Sequence, residues 1–332
     1  MITANELKER YPIYASFMDR RLEAGDDLRD LTAYLTGDPV PDLDGYDIKP
    51  YWQCNQKCIH CFNEEDHRGI KPPSLDEVYK QVDAVAPQYE MFTVFGGEPT
   101  LRNDLVEILK YIRKTGKKSS LNTNGIRFFN DEEYLQELAP YIDLVTLPVH
   151  SSDYSIFDAT TQVKGSAEKV IAVFKKLLTI KGIMLVIQVV INRLNYKTLL
   201  DTFDMIQNIA PGIKMLLTYP LPIGSARSSS VTPSYPEIRE YLIPAIKKYG
   251  SLINVWGFPQ CYLYPHQNDV IMIKNTHHIQ YENEKPRSKS LKCQECIFND
   301  ECCGVRPEYS DLYNVETDLK PVTVDAQGSY HQ

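Results

Sequence analysis

Strand-like and helix-like segments alternate along most of this 332-residue chain. Short apolar runs predict strands, and the residues between them show helical periodicity. The predicted strands are Tyr46–Gln53, Met91–Phe95, Lys118–Leu121, Leu144–Val149, Met184–Ile191 and Lys214–Thr218. Strands separated by helices in this way form a parallel sheet with right-handed crossovers, which is an α/β fold. The spacing suits a doubly wound sheet or an incomplete barrel, and periodicity alone does not choose between them.

Two kinds of pattern place individual helices. Ser74 and Glu77 can form the two halves of a capping box, which predicts a helix that begins after Ser74. Apolar residues at helical spacing predict the buried faces of two later helices. These faces are Leu105, Ile108, Leu109 and Ile112 in one helix, and Val170, Val173, Phe174 and Leu177 in the other.

The pattern divides the chain into four expected segments. Residues 1–45 are predicted to form a helical lead-in that ends in a link rich in proline and glycine. Residues 46–250 contain the alternating strands and helices. Residues 251–317 are rich in cysteine, and residues 318–332 are expected to form a loose tail.

Charge and hydropathy argue against two classes of partner. The chain has 36 Lys and Arg residues against 44 Asp and Glu residues, so its net charge is −8. A general nucleic-acid binder needs clustered positive charge, so we expect no nucleic-acid partner. The most apolar window, Ile183 to Ile191, is about half as long as a membrane span, and Met1 to Tyr14 lacks the core of a signal peptide. We therefore expect a cytoplasmic protein with no membrane partner, in which disulfides are unusual.

Three of the eight cysteines lie in one short loop after the first predicted strand. Cys54, Cys58 and Cys61 form a Cx3Cx2C motif, and no fourth cysteine lies nearby in the sequence. Three soft thiolates suit a cubane iron–sulfur cluster that keeps one iron without a protein ligand. Structural zinc and free thiols are the alternatives, although structural zinc normally takes four protein ligands. The spacing therefore favours the cluster.

A second motif follows the second predicted strand, at the edge where a parallel α/β fold presents ligand-binding loops. It is Phe95-Gly96-Gly97-Glu98-Pro99, in which the paired glycines let the backbone approach a ligand closely. In combination with Cx3Cx2C, it resembles the radical S-adenosylmethionine (SAM) superfamily, from about Tyr46 to Gly224. The resemblance implies a partial (β/α)6 TIM-like barrel.

The resemblance also implies cofactors and residue roles. Cys54, Cys58 and Cys61 would hold a [4Fe–4S] cluster whose open iron binds SAM. The residues implied to contact SAM are Gly96, Gly97 and Glu98 at its amino group, His60 against its adenine, Asn124 in Leu121-Asn-Thr-Asn-Gly125, and His150 and Ser151 in Leu147-Pro-Val-His-Ser151. A plain Asn-Gly turn is the alternative for Asn124, and an exposed loop histidine is the alternative for His60. Pro148 departs from the serine usual in the family.

The implied chemistry starts with an electron that passes from the cluster to SAM. SAM is cleaved to methionine and a 5′-deoxyadenosyl radical, which removes a hydrogen atom from an unreactive C–H bond. The protein's contribution is to position the target carbon and to exclude competing donors. An external reductant such as flavodoxin or ferredoxin would supply the electron.

The remaining cysteines form a second group near the C-terminus. Cys293, Cys296 and Cys302 form a Cx2Cx5C motif, and Cys261 lies upstream of it. Four thiols can enclose a second cluster or a structural zinc ion. The region resembles the SPASM or twitch extension of radical SAM enzymes, which implies one auxiliary [4Fe–4S] cluster on these four cysteines, with zinc as the alternative. Arg306 stands where the full SPASM pattern has a further cysteine, so we expect no second auxiliary cluster.

Cys303 is left over, and three interpretations of it stay open. It can be a small buried residue, since free cysteine packs like a hydrophobic residue. It can replace Cys302 as a ligand. It can also be the thiol that returns a hydrogen atom to a substrate radical, as a radical epimerase requires.

The leading hypothesis is a radical SAM enzyme that tailors a sugar, a nucleoside, another natural-product intermediate or a short peptide with help from an auxiliary cluster. A redox-neutral epimerase that uses Cys303 as hydrogen donor is the alternative reaction. Only 53 residues precede Cys54, fewer than the leader-binding domain of many peptide-modifying members needs. A non-catalytic iron–sulfur, zinc or electron-transfer protein is the alternative of another class. Gly-Gly-Glu-Pro beside Cx3Cx2C argues against it, because an electron carrier needs no SAM pocket.

Overall fold

The structure is a computed structural model that describes residues 3–36, 45–63, 69–272, 287–302, 304–325 and 329–332. Its centre is a sheet of eight parallel strands whose spatial order is the chain order. The strands are β1 (Gly45–Tyr51), β2 (Met91–Gly96), β3 (Lys118–Asn122), β4 (Leu144–Pro148), β5 (Met184–Val190), β6 (Lys214–Thr218), β7 (Ile253–Trp256) and β8 (Ile271–Met272).

The strand order decides between the two predicted architectures. A doubly wound sheet reverses its strand order at a switch point, whereas the order here never reverses. Consecutive parallel strands are the arrangement of a TIM-like barrel, so the expected α/β partial barrel is confirmed. The sheet also continues past residue 250 through β7 and β8. The division of the chain into four segments stays a prediction.

Helices connect consecutive strands. They are α4 (Leu75–Val85), α5 (Leu105–Lys114), α6 (Ile126–Asn130), α7 (Glu132–Leu138), α8 (Tyr154–Thr161), α9 (Ser166–Leu177), α10 (Leu199–Ile209) and α11 (Tyr235–Tyr249). The predicted apolar faces of α5 and α9 are buried in the core. The capping box of α4 is confirmed, because Glu77 donates its N–H to the Ser74 hydroxyl at 3.3 Å and accepts the Ser74 N–H at 2.7 Å.

The described part of the lead-in contains three α-helices, which are α1 (Ala4–Arg10), α2 (Ala15–Glu23) and α3 (Leu28–Thr36). Residues 37–44, which make up nearly all of the predicted link rich in proline and glycine, lie outside the described residues. The hydroxyl of Tyr14 donates to the carbonyl of Leu185 at 3.0 Å and accepts the N–H of Lys214 at 2.7 Å. Arg21 pairs with Asp143, just before β4, at 2.7 Å. These partners lie at the amino ends of the strands, so the lead-in packs against the end of the sheet opposite to the cysteine loop.

The C-terminal region is joined to the sheet by a buried aromatic cluster. Tyr235 lies 4.2 Å from Tyr219, 4.7 Å from Tyr309 and 5.2 Å from Tyr262, measured between ring centroids. The elements in this region are α12 (Gln260–Leu263), α13 (Val315–Asp318) and the antiparallel strands β9 (Thr323–Val324) and β10 (Tyr330–His331). Stacked rings of this kind stabilise the contact beyond the area they bury.

The first part of the tail is packed, contrary to the expectation that it is loose, whereas residues 329–332 are exposed. Leu319 and Val322 are buried, and the carbonyl of Val322 accepts the N–H of Ile297 at 2.9 Å. The Gln332 side chain donates to the carbonyl of Cys261. Two apolar side chains among polar neighbours form too weak a sequence pattern to predict this packing.

Among the described residues, none of the helices is both long enough and apolar enough to cross a bilayer.

Candidate active site

A cavity of about 360 Å³ opens at the carboxyl ends of the strands, the edge where parallel α/β barrels place their active sites. Most of the residues that were predicted to hold the first cluster or to contact SAM line this cavity. They are Cys54, His60, Cys58, Cys61, Gly96, Gly97, Glu98, Asn124 and His150. Ser151 is not part of its lining. Its buried hydroxyl instead accepts the N–H of Asp153 at 3.1 Å and lies 3.3 Å from the hydroxyl of Thr198.

The cysteine loop is fixed to the helices that follow β4. Lys57 donates its N–H to the carbonyl of Thr161 at 3.0 Å, and Ile59 donates to Thr160 at 2.9 Å. The buried side chain of Gln56 donates to the hydroxyl of Ser166 at 2.7 Å. The three thiols are therefore held in place by the end of α8 and the start of α9.

The thiol environment fits an iron–sulfur cluster. No disulfide joins Cys54, Cys58 and Cys61 to one another or to another described cysteine, and the Cys54 sulfur accepts the N–H of Gln56 at 3.4 Å. The side-chain amide of Asn124 lies 3.8 Å from the same sulfur. Backbone and amide N–H donors to sulfur are typical of cluster sites. Three soft donors beside an open cavity suit a cubane with one iron left for another ligand.

Gly96 and Gly97 are required by contacts within the chain. A Cβ atom on Gly97 would lie 2.3 Å from the carbonyl oxygen of Gln53, and one on Gly96 would lie 2.4 Å from that of Tyr51. Gly97 donates its N–H to Tyr51 at 2.9 Å, and Glu98 donates to Gln53 at 2.8 Å. The close backbone approach that these glycines allow is made to the strand end that carries the cysteines, and the predicted approach to a ligand stays a prediction. The contact of these residues with SAM stays a prediction.

The Glu98 carboxylate is fully buried and occupied by four hydrogen bonds. One oxygen accepts from the N–H of Thr100 at 3.0 Å and from the hydroxyls of Thr100 and Thr123 at 2.6 Å. The other oxygen accepts the N–H of Asn124 at 2.7 Å. Burial raises the pKa of Glu98, and these donors oppose that rise. The side chain therefore joins the carboxyl ends of β2 and β3.

Asn124 links the same strand end to the cysteine loop. Its side-chain nitrogen donates to the side-chain oxygen of Asn55 at 2.6 Å, and its own side-chain oxygen accepts the N–H of Ile126 at 3.0 Å. The second bond is an Asx-type turn that leads into α6. The turn interpretation is therefore correct for the side-chain oxygen, while the amide nitrogen faces the cysteine loop.

His60 and His150 form a buried pair. Their ring centroids are 4.8 Å apart in an edge-to-face arrangement, so the interpretation of His60 as an exposed loop residue is wrong. Burial lowers the pKa of His60 to about 4 and the pKa of His150 well below its usual value, so both rings are neutral. Within the described residues neither Nδ1 atom has a hydrogen-bond partner. Potential ligand atoms of both histidines and of Cys58 lie within 4.8 Å of one another.

The second group of cysteines also comes together. Cys261, Cys293, Cys296 and Cys302 line one small cavity of about 20 Å³. The N–H groups of Val322 and Gly304 donate to the sulfurs of Cys296 and Cys302, each at 3.4 Å. Burial, helped by the neighbouring thiols, raises the pKa of Cys261 to about 12. Cys303 lies outside the described residues.

Sequence reasoning missed a carboxyl group in the main cavity. Asp47 lines it from β1, together with Gln188, Thr218 and Trp256 from β5, β6 and β7. Asp47 alternates with the fully buried Ile48 on its strand, so it faces the inner side of the sheet. A charged residue at an inward position of a barrel strand is the signal that points to it.

Comparison with known proteins agrees with the motifs. Residues 48–206 match the model of the radical SAM superfamily. This part of the chain is a radical SAM domain. Enzymes with this domain bind a [4Fe–4S] cluster and SAM, and the thiols described above fit that requirement. The C-terminal cysteines lie outside the matched residues, and their SPASM-like character stays a prediction.

The relatives resemble this chain over part of its length. A probable GTP 3′,8-cyclase of Methanocella arvoryzae is 33% identical over 121 residues, which are 36% of this chain and 38% of that protein. The matched stretch thus spans less than half of the relative's length. Among solved structures, Streptococcus suis SuiB bound to its precursor peptide SuiA has a TM-score of 0.51 at 16% identity, covering 76% of this chain and 66% of SuiB.

A radical SAM methyltransferase from Sphaerobacter thermophilus is similar in fold as well. Its TM-score is 0.50 at 13% identity, and the match covers 77% of this chain and 93% of the methyltransferase. At these identities the two structures agree with this chain in fold.

Proposed function

We propose that this radical SAM enzyme removes a hydrogen atom from a small molecule or short peptide bound in the main cavity. Cys54, Cys58 and Cys61 are the proposed cluster ligands. The observation that carries the proposal is that three fixed thiols, the Gly-Gly-Glu segment and two neutral histidines border one cavity at the carboxyl ends of the strands. When bound, the cluster and SAM supply the hydrogen-abstracting radical.

The chain's own residues shape the space around the reacting groups. Gly96 and Gly97 line the cavity beside the cysteine loop, where they would contact the amino group of SAM. Part of the lining, called here the apolar wall, consists of Pro148, Val190, Leu216, Pro220 and Leu221. An apolar wall excludes water and other donors that would quench a radical. An external reductant such as flavodoxin or ferredoxin belongs to this proposal.

The C-terminal cysteines are proposed to hold an auxiliary [4Fe–4S] cluster, with zinc as the alternative. The four thiols share one cavity, and two of the sulfurs accept backbone N–H groups, as cluster sulfurs do. An auxiliary cluster would accept one electron from the substrate radical, so the net reaction would be an oxidation or a bond formation. The epimerase alternative depends on Cys303. Because Cys303 lies outside the described residues, only the sequence supports that alternative.

Iron and SAM cleavage measured on the same samples test the proposal. Anaerobically reconstituted protein is expected to hold about eight irons, and Cys54→Ala/Cys58→Ala/Cys61→Ala about four, as two cubanes require. With dithionite, the wild type is expected to convert SAM to 5′-deoxyadenosine, and the triple variant is expected to form none. Cys293→Ala/Cys296→Ala is the matched variant, which should lose the other four irons, about half of the total.

Two outcomes would contradict these assignments. SAM cleavage by the triple variant would remove the first cysteine loop from the proposal. About four irons in the wild type, with zinc retained in the triple variant, would make the C-terminal site structural and leave one cubane.

A further inference from the structure

Part of the main cavity is not explained by the cluster and SAM. Besides the apolar wall, it presents the polar side chains of Asp47, Gln188 and Thr218 and the indole of Trp256. Asp47 lies on β1, and the other three lie on β5, β6 and β7, across the open side of the barrel. A substrate that enters at the strand ends would meet these side chains.

The acidic and basic side chains of the cavity lining are unequal in number. Two carboxyl groups, those of Asp47 and Glu98, line the cavity, and neither lysine nor arginine does among the described residues. Glu98 is occupied by its hydrogen bonds. The structure, for the residues that it describes, gives Asp47 no hydrogen-bond donor and no cation within 4.0 Å. A ligand that complements this lining would bring positive charge.

Lys49 is the cation nearest to Asp47 along the strand, and it does not neutralise the carboxyl group by direct contact. Its ammonium group lies 5.5 Å and 5.0 Å from the ring centroids of Phe62 and Phe95. Coulombic attraction to Lys49 lowers the pKa of Asp47, but burial outweighs it and raises that pKa to about 7. Asp47 is partly exposed and lines the cavity, so a ligand there can supply the hydrogen-bond donor that the described residues do not.

The aromatic and apolar parts of the lining narrow the class of ligand. Trp256 offers an aromatic ring to the cavity, and the guanidinium of Arg306 lies 5.8 Å from the centroid of the same ring. The indole of tryptophan is the best aromatic partner for cations. With the apolar wall beside it, the site suits an ammonium group attached to an apolar body.

We propose that Asp47 is the substrate-anchoring residue of this cavity and that the substrate carries a protonated amine. The proposal rests on the proposed function for the statement that the occupant is the substrate. The recognition itself rests on the unpartnered carboxyl group, the absence of lysine and arginine from the described lining, and the aromatic and apolar walls.

Three probes of similar shape and different charge test whether the cavity prefers a protonated amine. Phenethylamine is a cation, 2-phenylethanol is neutral and phenylacetate is an anion. Their dissociation constants are measured by ligand-observed NMR on the anaerobically reconstituted, SAM-loaded protein. We expect phenethylamine to bind about ten-fold more tightly than the alcohol, because hydrogen bonds to charged groups are the stronger kind, and we expect phenylacetate to bind least.

Two variants assign the preference to one residue. In Asp47→Asn, which keeps the shape of the side chain, the preference for the amine should fall to less than two-fold. Asp76→Asn makes the same change at an exposed position of α4 and should keep the full preference. Equal binding of amine and alcohol to the wild type, no detectable binding of the amine, or an unchanged preference in Asp47→Asn would each overturn the inference.

The same wild-type samples are assayed for 5′-deoxyadenosine, which separates the two proposals. SAM cleavage without a preference for the amine would overturn the role of Asp47 and leave the proposed function in place. A preference for the amine without SAM cleavage would overturn the proposed function and keep Asp47 as a ligand-binding residue.

Discussion

Replacing Glu98 by glutamine is expected to destabilise the protein even though the two side chains have the same shape. Each carboxylate oxygen accepts one backbone N–H, from Thr100 at 3.0 Å and from Asn124 at 2.7 Å. A glutamine amide has one oxygen and one NH₂ group. In either orientation the NH₂ group therefore faces a backbone N–H, and one buried donor loses its acceptor.

The magnitude follows from the number of donors left without a partner. One buried N–H without an acceptor costs about 1–3 kcal/mol in the free energy of unfolding. Glu98→Ala removes both oxygens, so it leaves both N–H groups unpaired and should cost about 2–6 kcal/mol. The hydroxyls of Thr100 and Thr123 add to the loss when they cannot turn to another acceptor.

Urea unfolding of the cluster-free protein under reducing conditions measures this effect without interference from bound cofactors. Glu107→Gln is the control, because Glu107 lies on the exposed side of α5 and pairs there with Lys110. A change of less than about 0.5 kcal/mol, the usual size for a surface substitution, in Glu98→Gln would refute the reasoning. If that variant unfolded normally and the reconstituted protein lost its affinity for SAM, Glu98 would act on SAM directly.

Two further predictions concern the same cavity. Gly97→Ala places a Cβ atom 2.3 Å from the backbone oxygen of Gln53, so it should displace the cysteine loop and lower the iron content after reconstitution. Gly69→Ala should not, because no atom of the described residues lies within 4 Å of the new Cβ atom. Because burial raises the pKa of Asp47 to about 7, the folded wild type keeps a proton that the unfolded chain loses, and its stability falls as the pH rises to about 7. Urea unfolding should therefore show Asp47→Asn gaining up to about 2 kcal/mol over the wild type between about pH 5.5 and pH 8, and a gain that does not change with pH would contradict the pKa.

The strands between residues 46 and 218 were predictable because each is a short apolar run bounded by helices with clear periodicity. β6 has the predicted bounds, Lys214–Thr218, and the other five differ by one or two residues at one or both ends. The continuation of the sheet was harder to predict. β8 has two residues, and the connection before it contains α12, which has four. Such short elements carry too little periodicity to be assigned to a sheet.

The site was predictable where its chemistry depends on local spacing and not where it depends on burial. The cysteine spacing identified thiols that the fold brings to two cavities. The burial of His60 results from contacts between the cysteine loop and α8, which are far apart in the sequence. Asp47 is a single carboxyl residue with no motif around it. Its inward position on β1 follows from the alternation with Ile48, but the sequence does not show that the described residues give its carboxyl group no partner.

The structure explains why the Cx3Cx2C and Gly-Gly-Glu-Pro motifs identify the radical SAM fold when they occur together. β1 and β2 are parallel neighbours, so the loop after one strand and the loop after the other lie side by side although many residues separate them. Gly97 and Glu98 donate their N–H groups to the strand end that carries Cys54, and Glu98 also accepts the N–H of Asn124 after β3. The three loops therefore form one hydrogen-bonded unit, and a change in any of them should disturb the thiols of the first.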